Sequence, residues 1–424
     1  MNMMSTPSAD YESSRVAVVG GGAAGLYATA LLLQAGVDVT LFEHKSETGK
    51  KLLITGKGRC NLTNNCTPEE FLQEVTRNPR FLMSAIHRCP PSSVMRFFES
   101  LGVQLKVERG RRVFPASDKS RDIVNALRSA IRNAKIIHEK VMHLLTEDGR
   151  VRGIRTKEAE YRFDTVLLAT GGRSYPLTGS DGSGYLLAQE AGHKITDIKP
   201  SLVPLESSAS FCGELQGVAP KNIAFTVCER ESGRVLYRDF GEMLFTHFGI
   251  SGPVVISASA HLRDTDISKL DAVIDWKPAL DEKALDARLL SDFAEYANRD
   301  FANALNALLP ARVIPVVIHM SGIDPRKKVN SLTRAERLSL LKILKGFRIP
   351  LSRTRKIEEA IVTSGGVDVR RVDPKTMMSR ETEGVYFAGE MLDVDAYTGG
   401  YNLQIAFSTA FVAAEAIKEK FQNQ

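Results

Sequence analysis

The stretch that decides the fold is Val16-Ala17-Val18-Val19-Gly20-Gly21-Gly22-Ala23-Ala24-Gly25-Leu26, the start of an uncharged run that continues to Val37. A short β-branched run, a glycine-rich turn and an apolar helix open a dinucleotide-binding βαβ unit. Gly20 is expected to make the tight turn, Gly22 to let the backbone approach a pyrophosphate, and Gly25 to let helix pack on strand. The helix N-terminus then presents N–H groups to that pyrophosphate.

The residues beyond this helix strengthen the prediction. A second strand is expected over residues 37–42, and it ends in Glu43, 18 positions beyond Gly25. A carboxylate at this place accepts hydrogen bonds from the ribose hydroxyls of an AMP group. The alternatives are an apolar core helix with a glycine-rich lead-in, or a transmembrane span. Three consecutive glycines in the middle disfavour the span.

Length and composition restrict the class of protein. A chain of 424 residues is too long for one compact core, so we expect two or three domains. The first fourteen residues are polar, and a signal peptide is not expected. The five cysteines form no CxxC pair, which predicts a cytoplasmic protein without a metal site and without the adjacent dithiol of disulfide reductases. The net charge of +6 permits an anionic partner without demonstrating one.

The pattern of elements predicts a Rossmann-like α/β domain interrupted by an insert. Residues 1–197 and 356–424 are assigned to the nucleotide-binding domain, and residues 198–355 to the insert. The insert is predicted to be an antiparallel β-barrel with a helical subdomain at about 280–346, because its strand-like runs are short and alternate. It contains no second GxGxxG.

Several local predictions follow from capping and turn patterns. We expect a helix over residues 118–133 with Ser117 as its N-cap, and a meander with strands at 136–145, 151–156 and 160–163. Ser251 is predicted to cap a helix that has Pro253 in its first turn. A terminal apolar helix is expected over residues 403–418.

Two later motifs distinguish FAD from NAD as the tightly held cofactor. A buried strand enters Ala169-Thr170-Gly171-Gly172, and a late strand ends in Gly389-Glu390. These are typical second and third fingerprints of two-dinucleotide-type flavoproteins. A further helix N-terminus, after Gly399-Gly400, can stabilise the anionic reduced flavin through its partial positive charge. These motifs favour FAD.

The chain resembles the YhiN/BaiN-like flavoproteins over essentially its whole length. The resemblance rests on residues 54–64 (ITGKGRCNLTN), residues 244–253 (LFTHFGISGP) and the two parts of residues 389–402, GEMLD and TGGYN. It implies FAD binding, oxidoreductase activity and an FAD domain interrupted by a barrel-plus-helices insert. Members are linked to reduction of conjugated C=C bonds in bile-acid intermediates, to reduction of uridine in ribosomal RNA, and to oxidation of aminoacetone. The resemblance does not choose among these reactions.

The predicted cofactor-binding residues come from the glycine turn, the loop after Glu43 and the late motifs. They are Gly20, Gly22, Ala23, Ala24, Gly25, Glu43, His44, Lys51, Gly58, Arg59, Cys60, Asn61, Val141, Thr170, Gly171, Gly389, Glu390, Gly399, Gly400, Tyr401 and Asn402.

The candidate catalytic residues are His247, Cys60 and Tyr401. A histidine exchanges protons near neutral pH, and Cys60 could give a proton to a substrate carbon. The ordinary alternatives are a structural histidine, a small buried thiol, and a tyrosine that only contacts the ring. Arg59 is expected near cofactor or substrate, because packing poorly explains an arginine in a glycine-rich loop.

The leading hypothesis is an FAD-dependent reductase that passes hydride to an electron-poor C=C bond, with NAD(P)H as a transient reductant. The rivals are reduction of uridine in ribosomal RNA, oxidation of a small amine by O₂, and a flavin-holding scaffold without activity. The basic clusters Arg109, Arg111, Arg112 and Lys119, Arg121 are expected to be a solvated face, with nucleic-acid contact as the alternative. No RNA-binding signature is visible, no membrane contact is expected, and the oligomeric state stays open.

Overall fold

The structure, a computed structural model, describes residues 16–422. The strands, in chain order, are β1 Val16–Val19, β2 Val39–Phe42, β3 Thr63–Asn64, β4 Val75–Arg77, β5 Leu105–Glu108, β6 Arg112–Pro115, β7 Lys135–Ile137, β8 Val141–Glu147, β9 Arg150–Thr156, β10 Glu160–Arg162, β11 Thr165–Leu168, β12 Lys199–Ser201, β13 Leu205–Ser207, β14 Ile223–Glu229, β15 Val235–Gly241, β16 Leu244–Thr246, β17 Gly249–Ser251, β18 Leu270–Asp275, β19 Phe347–Thr354, β20 Val362–Ser364, β21 Val385–Phe387 and β22 Asp395–Ala396.

The α-helices are α1 Ala23–Gln34, α2 Lys50–Ile54, α3 Pro68–Gln73, α4 Pro79–Arg88, α5 Pro91–Ser100, α6 Ser120–Ala130, α7 Gly184–Glu190, α8 Phe211–Glu214, α9 Pro253–His261, α10 Glu282–Glu295, α11 Phe301–Ala304, α12 Ile314–Ser321, α13 Arg334–Lys345 and α14 Tyr401–Gln422. None of these helices is both long enough and apolar enough to cross a bilayer. The prediction about the first fourteen residues lies outside the described residues.

The described chain forms two compact units. The outer unit joins residues up to 199 with those from 362 onward, and the insert unit runs from 200 to 361. The predicted boundary near 197 therefore lies close to the observed one, whereas the observed second boundary falls six residues beyond the predicted 355. Each unit has its own apolar core.

The outer unit is built on a parallel sheet of five strands in the order β21-β11-β1-β2-β7. Val16, Ala17 and Val18 of the central strand β1 are completely buried, because helices cover both faces of such a sheet. Strand β1 pairs in register with β2 on one side and with β11 on the other. This is the predicted Rossmann-type arrangement, and it confirms the predicted fold class of the nucleotide-binding domain.

The two ends of the chain meet in this unit. The late strand β21 pairs with β11 in the parallel sheet. Helix α14 packs on α1, where the rings of Tyr27 and Phe407 lie 5.1 Å apart, centroid to centroid. A Cβ on Gly389 would lie 3.0 Å from the Cβ of Ala24, so the late glycine lies directly against the first turn of α1. The first and last segments therefore form one domain around the insert.

Some local predictions for this unit were wrong. Residue Ile136 belongs to β7, which pairs in parallel with β2, and only β8, β9 and β10 form the antiparallel meander. Helix α6 begins at Ser120, with Lys119 as its N-cap. The hydroxyl of Ser117 instead accepts a hydrogen bond from the backbone N–H of Lys119 and donates one to Asp122. The side chain therefore closes a local turn rather than capping the helix.

The insert unit contains a seven-stranded antiparallel sheet in the order β15-β14-β18-β19-β13-β17-β16. The two edge strands of this sheet, β15 and β16, are separated along the chain by residues 242–243 only. Closure of the sheet into the expected barrel stays a prediction. The expected helical segment is present, and Arg337 of α13 pairs with Asp286 of α10 at 2.7 Å. The N-cap of α9 is Gly252, at φ 97°, and not Ser251, which ends β17.

A buried histidine predicts how the stability of the protein depends on pH. His193 is 3% exposed, and one ring nitrogen lies 2.7 Å from the hydroxyl of Ser379. Burial lowers the pKa of His193 below its usual value, and nearby Glu381 offsets this only in part. The unfolded chain then binds a proton that the folded chain resists, so stability is complete above about pH 6.5 and falls as the pH drops below it.

We therefore expect the free energy of unfolding to decrease less in His193→Gln than in the parent protein when the pH is lowered from about 7 to about 5. Urea denaturation across this range measures the effect. His87→Gln, which changes a half-exposed histidine, is the control and should keep the parental slope. Parallel curves for all three proteins would show that His193 does not contribute.

Candidate cofactor site

The glycine turn between β1 and α1 has the geometry that the sequence predicted. Gly20 lies at φ 107°, and a Cβ there would lie 2.5 Å from the carbonyl oxygen of Ala169. A Cβ on Gly25 would lie 1.8 Å from the carbonyl oxygen of Gly20. A Cβ on Gly22 would meet nothing within 4 Å. Gly20 and Gly25 are therefore required because a side chain there would collide with the backbone. Gly22 instead faces open space at the N-terminus of α1.

Glu43 ends β2 beside this turn. Its side chain accepts hydrogen bonds from the backbone N–H groups of Gly21 (3.0 Å) and Lys45 (2.8 Å), which fix the carboxylate. His44 lies beside it, at 3.6 Å, and burial lowers the pKa of this histidine. The position of Glu43 is that of a ribose-binding acid; contact of Glu43 and His44 with a ribose stays a prediction.

Lys51 and Glu390 are brought together although they lie far apart in sequence. The Lys51 ammonium contacts a Glu390 carboxylate oxygen at 2.5 Å and donates to the Ser174 hydroxyl at 2.7 Å. The other Glu390 oxygen accepts from the Ser174 hydroxyl and from the Thr363 N–H, both at 2.9 Å. This network joins four segments at the end of the parallel sheet. Ser174 and Thr363 were not predicted, and no local pattern marks them.

The loop before Asn61 has a strained backbone. Four of its residues, Gly56, Lys57, Gly58 and Cys60, have φ between 55° and 85°. Two of them are not glycine, and such residues rarely adopt the left-handed region without support from their surroundings. A Cβ on Gly58 would meet nothing within 4 Å. The loop therefore presents open backbone at Gly58, which suits close approach of a ligand.

The side chain of Arg59 is held by acidic partners. Its guanidinium donates to Asp118 (2.7 Å from Nε) and pairs with Glu108, and it covers the ring of Phe114 at 4.2 Å. These contacts give the arginine a structural explanation that the sequence did not reveal. Contact of Arg59 with the cofactor stays a prediction.

Cys60 and Asn61 differ in what they offer. The Cys60 side chain is completely buried, and burial raises the pKa of its thiol to about 12. The structure thus favours the small buried thiol over the proton donor. The side-chain amide oxygen (Oδ1) of Asn61 is buried, with no hydrogen-bond partner among residues 16–422. An orphaned acceptor of this kind is the expected counterpart of a donor on a ligand.

Helix α14 begins beside this loop. The side-chain nitrogen of Asn64 donates to the carbonyl of Gly399 at 3.2 Å, and a Cβ on Gly400 would lie 2.4 Å from Thr63. Gly400 therefore allows close packing of the helix start on β3. The side chain of Asn402 bonds to the backbone of Ala396 and Tyr397, so this amide fixes the preceding strand. Contact of Asn402 with the flavin ring stays a prediction. Because the side chain is engaged, the backbone of Asn402 would make that contact.

Tyr401 is the first residue of α14. Its ring packs against Phe71 with 5.4 Å between centroids. Burial raises the pKa of Tyr401, and the carboxylate of Glu74 and the thiol of Cys66 raise it further. The phenol is neutral at physiological pH, as tyrosine ordinarily is, and the raised pKa makes it a weaker acid. Glu74 and Cys66 are neighbours that sequence reasoning missed, because they lie on different elements.

The remaining predicted contacts lie around the other strand ends. Gly171 adopts φ 75°, and a Cβ there would lie 2.6 Å from the Ser180 hydroxyl oxygen. The Thr170 hydroxyl faces the Met391 sulfur at 3.8 Å. Val141, the first residue of β8, is buried and pairs with Thr156. Whether these residues contact a cofactor stays a prediction.

His247 lies in the insert unit, in the turn between β16 and β17. Its side chain is exposed, and its ring lies 5.0 Å from that of Phe248, edge to face. The adjacent Thr246 hydroxyl is buried without a partner among the described residues. The turn therefore presents His247 to solvent, and its catalytic role stays a prediction.

The residues of the outer unit fit FAD. Gly22 and Gly58 offer backbone that no side chain covers, the carboxylate of Glu43 is fixed beside the glycine turn, and the side chain of Asn61 has an unused acceptor. The N-termini of α1 and α14 supply two positive dipole ends for a molecule with a pyrophosphate at one part and a flavin ring at the other. The fold and this site together define an FAD-binding oxidoreductase of the two-dinucleotide type.

Comparison with known proteins agrees. The chain belongs to the HI0933-like Rossmann-domain family, whose model matches residues 14–416. It is 31% identical over 418 residues to the 3-dehydro-bile acid delta(4,6)-reductase of Clostridium scindens, covering 96% of this chain and 100% of that protein. It is 28% identical over 412 residues to the ribosomal RNA dihydrouridine synthase of Haemophilus influenzae, covering 95% and 98%.

The fold is shared with solved flavoenzymes. The 3-ketosteroid-delta4-(5alpha)-dehydrogenase of Rhodococcus jostii RHA1 matches with a TM-score of 0.52 at 16% identity, covering 97% of this chain and 98% of that one. The family and the full-length relatives, rather than this shared fold, identify the chain as an FAD-dependent oxidoreductase.

The burial of Cys60 predicts its reactivity. Below about pH 12 its thiol stays protonated, and no part of it is accessible. Cys66 is only partly buried, and burial raises the pKa of its thiol to about 11. Because thiolates are the reactive form and Cys66 is the more accessible, iodoacetamide at mildly alkaline pH should label Cys66 ahead of Cys60 in the native protein. Peptide mass mapping measures this, with urea-denatured protein as the control in which both react. Equal native labelling would contradict the burial of Cys60.

Proposed function

We propose that this enzyme reduces an electron-poor C=C bond, conjugated with a carbonyl group, and that NAD(P)H is its electron source. The observation that carries the proposal is the pair of full-length relatives, one named a delta(4,6)-reductase and the other a dihydrouridine synthase. Uracil and an oxo-steroid with ring unsaturation both contain such a bond. A shared reaction on different substrates is what one cofactor in one site would perform.

FAD supplies hydride chemistry through its N5 atom, and the protein supplies orientation and electrostatics. The N-terminus of α14 carries partial positive charge, which favours an anionic reduced ring. The open backbone at Gly22 and Gly58 supports approach of the cofactor. Because the sequence has no second GxGxxG, NAD(P)H would bind transiently.

Hydride reaches one carbon of the C=C bond, and the other carbon takes a proton. This proton would come from Tyr401 or His247. The phenol of Tyr401 carries a proton at physiological pH, although burial raises its pKa and makes it a weaker acid, and His247 is exposed on its turn. Cys60 is the weakest of the three, since its thiol is enclosed. We also infer a cytoplasmic location from the five free cysteines.

Two anaerobic half-reactions test the proposal. Mixing with NADPH or NADH should bleach the flavin absorbance, and a steroid enone or uridine-containing RNA should then restore it. Tyr401→Phe or His247→Gln should slow the second half-reaction about 100-fold, as loss of a general acid does, and leave the first unchanged. If neither nicotinamide bleaches the flavin, the proposed electron source is wrong. Peroxide formation from a small amine would instead indicate an oxidase.

The specific alternative is reduction of uridine in ribosomal RNA, which the name of the Haemophilus influenzae relative favours. The nucleic acid would bind with an affinity that falls steeply with salt. A strain lacking the gene should then lose a dihydrouridine from its ribosomal RNA. An unchanged modification map would exclude this alternative.

A further inference from the structure

The exposed turn between β5 and β6 lies at the start of α14. The side-chain nitrogen of Asn64 donates to the Gly110 carbonyl (3.0 Å) and to the Gly399 carbonyl (3.2 Å). One amide group therefore ties this turn to the glycines that precede α14. The turn contains Arg109, Arg111 and Arg112, all exposed. The turn that carries these three arginines thus lies at the edge of the region where the flavin ring is proposed.

The acidic groups near this turn are already engaged. Glu70 pairs with Arg111 at 2.5 Å. Glu108 pairs with Arg59 and lies 3.5 Å from the Lys106 ammonium. Asp118, in turn, is bound by Arg59 and by Lys106. The local carboxylates are therefore neutralised by other cations.

Arg109 and Arg112 are left over. Within residues 16–422 neither guanidinium has a carboxylate partner. Nε of Arg112 donates to the Arg109 carbonyl at 3.0 Å, which holds the two residues together in one turn. The Phe114 ring, over which Arg59 lies at 4.2 Å, is 5.8 Å from the Arg112 guanidinium. Two exposed arginines in one turn, with no carboxylate partner among residues 16–422, supply the planar guanidinium groups that recognise phosphate.

We propose that Arg109 and Arg112 bind a phosphate ester group on one of the molecules that react at the flavin. The inference rests on the proposed function for the identity of those molecules. The phosphate would belong either to NADPH, which carries one more phosphate than NADH, or to the backbone of a nucleic-acid substrate. Both present the same chemistry to the two arginines.

Binding measurements test this without catalysis. Calorimetric titration of the oxidised holoenzyme would use NADP⁺ and NAD⁺ in one arm and a single-stranded oligouridylate of about eight nucleotides in the other. Arg109→Gln/Arg112→Gln should weaken one of the phosphate ligands at least about 10-fold, because two charge-assisted hydrogen-bond donors are lost. For the oligonucleotide, the slope of log K against log salt should also fall by about 1.4.

The matched control removes the same charge elsewhere. Arg132 and Arg162 are exposed arginines without a carboxylate partner among the described residues, so Arg132→Gln/Arg162→Gln changes the net charge equally. Loss confined to NADP⁺, with NAD⁺ unchanged, supports the site and identifies the electron donor. Loss confined to the oligonucleotide supports it and identifies nucleic acid. Unchanged affinity in both arms, or equal loss in the control, overturns it.

These outcomes separate the site from the proposed function. Failure of the flavin to bleach would refute the electron source and leave the binding result intact. Retention of FAD by the double variant, measured from its visible absorbance, shows that the protein is folded. Neither arginine is part of the proposed cofactor contacts.

Discussion

Gly22→Ala will weaken FAD binding about 10- to 100-fold and leave the stability of the apoprotein nearly unchanged. The added methyl group meets no atom of the polypeptide within 4 Å, and the backbone at φ −86° is open to alanine. Apoprotein stability should therefore shift by no more than about 1 kcal/mol. The methyl group would instead occupy the space through which a pyrophosphate approaches the helix N-terminus. Overpacking of this kind costs about 1–3 kcal/mol, which gives the expected loss of affinity.

The neighbouring Gly25→Ala is the informative contrast. Its methyl group would lie 1.8 Å from the carbonyl oxygen of Gly20, so α1 must move away from β1. We expect this variant to lose about 3 kcal/mol of apoprotein stability together with its FAD. Urea denaturation of the apoproteins and titration with FAD, followed by flavin fluorescence, measure both quantities. If Gly22→Ala binds FAD with normal affinity, the prediction that the pyrophosphate lies at this turn is wrong.

The contrast also shows why this part of the fold could be predicted from sequence. The strand, turn and helix of residues 16–34 are consecutive in the sequence, and the spacing of the three glycines marks the turn, although the close contact of Gly20 is with the distant Ala169. Glu43 follows because β2 is parallel to β1, which fixes the end of the strand. The periodic pattern, the glycines and the acid all specify the same structure.

Long-range partners could not be predicted in this way. Arg59 was predicted near the cofactor or substrate because packing poorly explains an arginine in a glycine-rich loop, but the fold pairs it with Glu108 and Asp118, which lie far away in the sequence. Serine is a common N-cap residue, yet the hydroxyl of Ser117 accepts a hydrogen bond from the N–H of Lys119 in the turn before α6. For Arg59 the deciding contacts come from residues distant in the sequence, whereas for Ser117 two hydrogen bonds within the same short segment favour a turn over a cap.

The same limit applies to Glu390. The motif Gly389-Glu390 at the end of the late strand was predicted. Nothing in the sequence connects it with Lys51, Ser174 or Thr363. Ser174 and Glu390 follow β11 and β21, which are neighbours in one sheet. Lys51 of α2 and Thr363 of β20 reach them from other elements. The carboxylate of Glu390 accepts hydrogen bonds from three protein donors, so it holds the surrounding segments together.

Lys51→Met and Glu390→Gln should each cost about 2–3 kcal/mol of stability, because each leaves one partly buried charge unpaired. Breaking a fully buried pair costs about 3–5 kcal/mol. The lower figure applies here because the two side chains are 21% and 20% exposed. Glutamine keeps an oxygen that can accept from Ser174 and Thr363, so the single change isolates the charge.

The double variant Lys51→Met/Glu390→Gln separates the two roles of the lysine. With both charges gone, stability should return to within about 1 kcal/mol of the parent, because no unpaired charge remains. If Lys51 serves only Glu390, FAD affinity returns as well. If the ammonium also neutralises a pyrophosphate, as we expect, affinity stays low in Lys51→Met and in the double variant alike. A double variant as unstable as the sum of the single variants would show that the two residues act independently, which their 2.5 Å contact argues against.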